Sequence, residues 1–281
     1  MKKFIFFILL ALVMLSGVTI YQYFKFHDGR LHVVFCDVGQ GDGVLVVTPS
    51  SKHILVDAGP DNKILDCLSR HLPFWERTID LALLTHPHAD HLMGYYSVIE
   101  RYNLSQFSTE KLINKTEGFQ GLLTLLKKHN IKEQLVTKGD RWRLSDGVII
   151  TIVGPTGDFL FRKNPDGVIT NSAESGSLIT KITYGKFSAL LTGDAPVDEM
   201  QEVASEISSP TVLQIPHHGS STGIDGQVLD LLQSKLAVIS VGKNSYGHPT
   251  KRTLKFLQER RLKVLRTDQI GDVEIVSDGG N

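Results

Sequence analysis

Three histidines and an aspartate crowd into positions 86–91 of the stretch LALLTHPHADHLMG, directly behind an apolar run. A lone histidine is ordinarily a solvated or hydrogen-bonded residue. His86, His88, Asp90 and His91 within a single turn are a different matter, because all four side chains can hold a metal. His86 and His88 alternate along an extended turn and can face one ion, whereas Asp90 and His91 open the next turn and can face a second. Ligands must converge on an ion, and strand ends are rigid places from which to aim them. The cluster therefore demands a fold that gathers other strand ends to this one.

Later apolar runs supply such ends. LLTGD finishes on Asp194, LQIPHHGS delivers His217 and His218, and NSYGHP sets His248 just past another run. Counting ligands gives a two-metal centre in which Asp194 bridges and His217 and His248 complete the two shells. Imidazoles with one or two carboxylates suit zinc, and also manganese or iron. Two ions sharing a hydroxide stabilise an in-line displacement, the chemistry of ester or phosphodiester hydrolysis. Asp57, at the end of HILVDAG, is expected to orient ligands from behind, with Asp37 and Asp42 of the DVGQGDG turn in structural or similar supporting roles. Ser220, Ser221 and Thr222 are placed either to bond a phosphate or to cap the next helix, and Asn244, Ser245 and Tyr246 to line the pocket beside His248.

From Leu31 onward the chain alternates strands, turns and helices with no repeat and no linker that would split residues 31–281. Each half carries several strands with helices attached, which predicts an α/β domain of four layers: two mixed sheets face to face with helices outside. Helices are expected over 61–72, from His91, over 119–130, 196–207, 224–234 and 249–261, and a long polar loop over 156–176. Lys+Arg and Asp+Glu both number 30, so bulk electrostatics alone would not hold nucleic acid. The local basic run KRTLKFLQERRLKVLR reads either as a solvated helix face or as a phosphate-backbone track. Only two cysteines are present, which excludes a cysteine-rich zinc site. Cys36 reads as a small buried hydrophobe and Cys67 as a helical residue, so a bridge between them is not expected.

Residues 1–30 stand apart. MKK precedes the apolar run of residues 4–24, which approaches the roughly 20 residues needed to span a bilayer. No A-x-A-like cleavage site follows it, and no cysteine follows LSG. The reading is an uncleaved anchor, with a cleaved signal as the alternative; Tyr21, Tyr23 and Phe24 suit the interface, and the leading lysines place the remainder outside the cytoplasm.

THPHADH resembles the H-x-H-x-D-H signature of the metallo-β-lactamase fold. FCDVGQGDG, ILVDAG, LLTGD, PHHGS and VGKNSYGHP resemble, in order, the hydrolase-like domain of ComEC-type DNA-uptake proteins, over about residues 31–278, and bacterial phosphorylcholine esterases share a similar arrangement. The resemblance implies the four-layer αββα sandwich, two divalent metals and a hydrolase acting on a phosphate ester, with DNA the leading substrate and a small or envelope ester the alternative. A non-catalytic metal-binding module is a third reading. Many ComEC-type domains resemble H-x-D-x-D-H where this chain has His88, which completes the first shell. Many members of the fold take a further ligand from a loop where this chain offers only His129, in an expected helix. The HHG turn then supplies the missing ligand: His217 is preferred, with His218 behind it or on the substrate, and Asp90 and His218 are the expected catalytic pair.

Overall fold

The computed structural model describes residues 2–169 and 176–280. Two seven-stranded sheets form the body. In spatial order the first runs Val273–Ser277, Leu31–Phe35, Gly43–Val47, His53–Ala58, Leu81–Leu83, Phe107–Glu110 and Glu133–Val136. The second runs Arg141–Arg143, Ile149–Gly154, Ile179–Tyr184, Phe187–Leu191, Val212–Gln214, Leu236–Ile239 and Lys263–Arg266. Both are antiparallel on one side and turn parallel partway across, at His53–Ala58/Leu81–Leu83 and at Phe187–Leu191/Val212–Gln214. The final strand crosses back to pair with the first, Leu31 opposite Ser277.

Alternation along the strands produces the layers. Leu31, Val33, Phe35, Val44, Val46, Ile54 and Val56 meet Ala189, Leu191, Val212 and Val238 of the other sheet in one apolar layer. The intervening Val34, Leu45 and Leu55 face outward onto helices 64–71, 94–101 and 117–128, through Leu68, Val98 and Leu122. On the far side Leu190, Leu213, Ala237 and Ile239 pack beneath Met200, Val203, Val228 and Leu257. The result is the expected sandwich, helix–sheet–sheet–helix. Its helices follow from local chemistry: Thr116 caps Glu117–Lys128 by accepting from Phe119 N–H (3.4 Å), and Phe119, Leu122 and Leu126 form the buried face.

Two expectations are corrected, and two strands appear that the sequence did not signal. Cys36 and Cys67 form a disulfide, with Cα atoms 5.7 Å apart, because the alternation that buries Cys36 also turns it toward the inner face of helix Ile64–His71. The segment 156–176 is not all loop: Thr156 caps a helix over Gly157–Lys163, whose Phe159 is buried; its residues 170–175 lie outside the described ones. Strands Phe107–Glu110 and Glu133–Val136 went unread in sequence, since FSTE and EQLV carry too few apolar residues to advertise a strand. Helix Lys2–Phe26 buries no residue in the body.

Candidate metal centre

The parallel halves of both sheets end at one place, and the chemistry-bearing residues leave their C-terminal ends, where ligands gather in open α/β sheets. Asp57 closes His53–Ala58; His86 follows Leu81–Leu83 by three residues; Asp90 and His91 lie on the short helix Ala89–Leu92; Asp194 follows Phe187–Leu191; His217 and His218 follow Val212–Gln214. The close packing explains two glycines. Gly193 has φ +49°, and a Cβ there would lie 2.3 Å from Ser177 Oγ; at Gly41, φ +147°, it would lie 2.3 Å from the Asp90 carbonyl. Asp57, His217 and His218 hold positive φ without being glycine, a strained backbone that the surroundings must enforce.

Asp194 stands between two sets of donors. Its Oδ2 lies 3.6 Å from His86 Nε2 and 3.6 Å from His217 Nε2, and His88 gathers on the same side. Its Oδ1 lies 3.3 Å from His91 Nε2 and 3.6 Å from His218 Nε2, and Asp90 Oδ2 is 3.3 Å from the same His218 nitrogen. Asp90, His91, Asp194 and His218 form one tight group, and His86, His88 and Asp194 another.

The other ring nitrogens are already engaged. His91 Nδ1 donates to Asp57 Oδ2 (2.7 Å), His86 Nδ1 rests on the Thr85 hydroxyl (3.1 Å), and His218 Nδ1 donates to the Ser240 carbonyl (3.0 Å). Thr85 N–H and Oγ1–H in turn donate to the two oxygens of Asp57 (2.8 and 2.7 Å). Those partners occupy each Nδ1 and turn each Nε2 toward the centre, where a metal would bind it in exchange for a proton. His86 Nε2, His91 Nε2 and Asp194 Oδ1 are buried yet have no hydrogen-bond partner among the described residues. Three buried polar atoms converging without a partner are what a cation would satisfy, so the residues fit divalent metal.

Electrostatics agree. Burial disfavours charge on His91 and His218, but Asp194 together with Asp57 or Asp42 outweighs it and pushes both pKa values well above the ordinary imidazole range. Burial would raise Asp194, but the surrounding imidazoles hold it well below the usual carboxylate range. The carboxylates draw in positive charge, and a divalent ion would compete with those protons for the same nitrogens.

The remaining expected residues divide. Asp42 is buried with Oδ1 3.4 Å from His218 Nδ1. Asp37 is not brought in: its carboxylate accepts from Gly39 N–H within the turn, and its own N–H donates to Asp272. His248 stands outside both groups, its ring 5.6 Å from that of His217, because Asn244 clamps both the N–H and the carbonyl of His248 into their own loop. Asn244 is thereby consumed, while Tyr246 projects into solvent. Ser220 bonds Thr222, and Ser221 is exposed. Sequence reasoning missed three supports: Thr85, signalled only by its place just before His86; the Ser240 carbonyl; and Ser177, whose hydroxyl accepts from Asp194 N–H (3.2 Å) with nothing local to mark it.

Known proteins share this frame. ComE operon protein 3 of Bacillus subtilis is 26% identical over 273 residues, 88% of this chain and 33% of that one. Recombination protein 2 of Haemophilus influenzae is 27% identical over 244 residues, 85% of this chain and 28% of that one. The chain thus spans about a third of these curated relatives. Among solved structures, the metallo-beta-lactamase fold protein YhfI from Bacillus subtilis superposes with a TM-score of 0.60 at 13% identity, covering 88% of this chain and all of that one. The metallo-beta-lactamase superfamily model matches residues 36–243, and with the strand ends, the αββα layers and the donor groups in agreement, the chain belongs to that superfamily of metal-dependent hydrolases.

Proposed function

We propose that this protein is a membrane-anchored, extracytoplasmic hydrolase with two metal ions that cuts phosphodiester bonds, DNA being the leading substrate. The observation that carries the reading is Asp194, which offers one oxygen to each of two imidazole groups. His86, His88, His217 and Asp194 would hold one ion, and Asp90, His91, His218 and Asp194 the other, with zinc favoured by the imidazole-rich set and manganese or iron as alternatives. Bound ions would supply a hydroxide at neutral pH and charge to stabilise the displaced oxygen. The chain's own residues prepare the site. Asp57, fixed by Thr85, keeps His91 in the ligating tautomer, and the Ser240 carbonyl does so for His218. Asp90, partly exposed, reaches the open side of the centre, where it can orient the attacking group. His248 and Tyr246, with rings 5.8 Å apart at the rim, are placed to contact the substrate.

DNA is favoured by kinship with competence and recombination proteins. The apolar helix Lys2–Phe26 supports an anchor, and the Cys36–Cys67 disulfide supports an oxidising compartment. One observation favours a smaller substrate such as a phosphorylcholine ester: several bases expected to hold flanking phosphates are paired internally, Arg260 with Asp230, Arg266 with Asp268 and Lys255 with Glu259. Metal analysis of the full chain in detergent, followed by turnover of bis-p-nitrophenyl phosphate, single-stranded DNA, a phosphorylcholine ester and nitrocefin, tests the proposal. Two ions per chain with cleavage of the diester and DNA is the expected result. One ion at saturation, or activity confined to nitrocefin, would overturn it.

A further inference from the structure

Rising about 1.5 Å per residue, the helix measures about 30 Å from Phe4 to Phe24, the thickness of a hydrocarbon core. Gln22 therefore lies at the depth where the helix leaves the lipid. Its Oε1 accepts from the Phe74 N–H at 2.8 Å, which brings the turn after helix Ile64–His71 to that same depth. This turn reads Pro73-Phe74-Trp75-Glu76-Arg77. Phe74 is 46% exposed and Trp75 37%, with their rings edge to face at 5.0 Å. Outside the N-terminal helix they are the only consecutive exposed aromatic pair among the described residues. Beside them Arg77 and Arg101 flank a groove of about 430 Å³ floored by Leu65, Pro73 and Tyr102. Arg77 is held by the carbonyls of Phe74 and Glu76, and neither arginine has a carboxylate partner among the described residues. Lys25, on the last turn of the helix, lines a separate cleft with Asp28 and Glu274.

We propose that the Phe74–Trp75 turn is a second membrane contact, with both rings seated at the headgroup level and Arg77 and Arg101 against lipid phosphates. An indole, apolar with one N–H edge, favours that depth, Phe74 adds apolar area beside it, and guanidinium groups are drawn to lipid phosphates. A single helix leaves a domain free to rotate about it, whereas two contacts fix which face looks away from the bilayer. The inference rests on the anchor reading.

The test uses the full chain in phosphatidylcholine–phosphatidylglycerol vesicles. The chain has two tryptophans, so Trp142→Phe leaves Trp75 as the only one. Lipids brominated near the headgroup should quench its emission at least twofold, and lipids brominated deep in the chains much less. Flotation of the same sample separates the two claims. A chain that fails to float removes the anchor and this contact with it. A chain that floats while Trp75 ignores brominated lipid keeps the anchor and overturns the contact. If Trp142→Phe does not fold, the difference between the unaltered chain and Trp75→Phe gives the same readout.

Discussion

Asp57→Asn separates the proton logic of the centre from its shape. Asparagine matches the volume and tolerates the positive φ of position 57, so the backbone is not the variable. Asp57 accepts from His91 Nδ1 at 2.7 Å and from Thr85 twice. An asparagine can keep the bond from Thr85 N–H through its oxygen, but its amide N–H₂ then faces His91. To accept from it, His91 must move its proton to Nε2, the nitrogen aimed at Asp194. The ligating lone pair is lost. His86 is spared, because its Nδ1 rests on the Thr85 hydroxyl, which has two lone pairs. Partners behind a metal ligand typically carry 10–100-fold in affinity, about 1.4–2.7 kcal/mol. We expect that loss for one of two ions, measured by chelator competition with metal analysis at constant pH. Because the effect runs through His91, Asp57→Asn should add nothing to His91→Ala. Two ions held at unaltered affinity, or a full additive loss in the double variant, would refute the reasoning.

His217→Ala and His218→Ala should each cost one ion, and combining His218→Ala with Asp90→Ala should leave one ion in place; either single variant holding two ions at unaltered affinity would show that its imidazole does not ligate. Glu110 is buried without a hydrogen-bond partner among the described residues, and burial pushes its pKa well above the carboxylate range. Its folded pKa exceeds the unfolded one, so stability falls as pH rises above about 4.3, by at most about 1.4 kcal/mol per pH unit. Glu110→Gln should therefore raise the melting temperature most at pH 8 and not at all below about pH 4; a pH-independent shift would contradict this. Reversing Lys251, Arg252, Arg261 and Lys263, exposed cations of the basic run, should raise KM for DNA and flatten its salt dependence while leaving a small diester untouched; unchanged DNA kinetics would favour the small substrate.

Period-two apolar runs ending in His, Asp or Gly are local signals, and they sufficed to reveal most strands, the four layers and most of the side chains that meet at Asp194, whereas His218, expected behind His217 or on the substrate, itself faces Asp194. Sequence spacing carries no information about which nitrogen meets which oxygen. Only the crossing of chain halves decided that His217 and His218, neighbours on one left-handed turn, approach different oxygens of Asp194, and that His248 stays at the rim in the grip of Asn244. The same holds for Cys36 and Cys67, 31 residues apart, which meet because sheet pleat and helix face happen to coincide. Thr85, Ser177 and the Ser240 carbonyl act through single hydrogen bonds across separate strands. Such contacts leave no periodicity along the chain, which is why tertiary structure alone could place them.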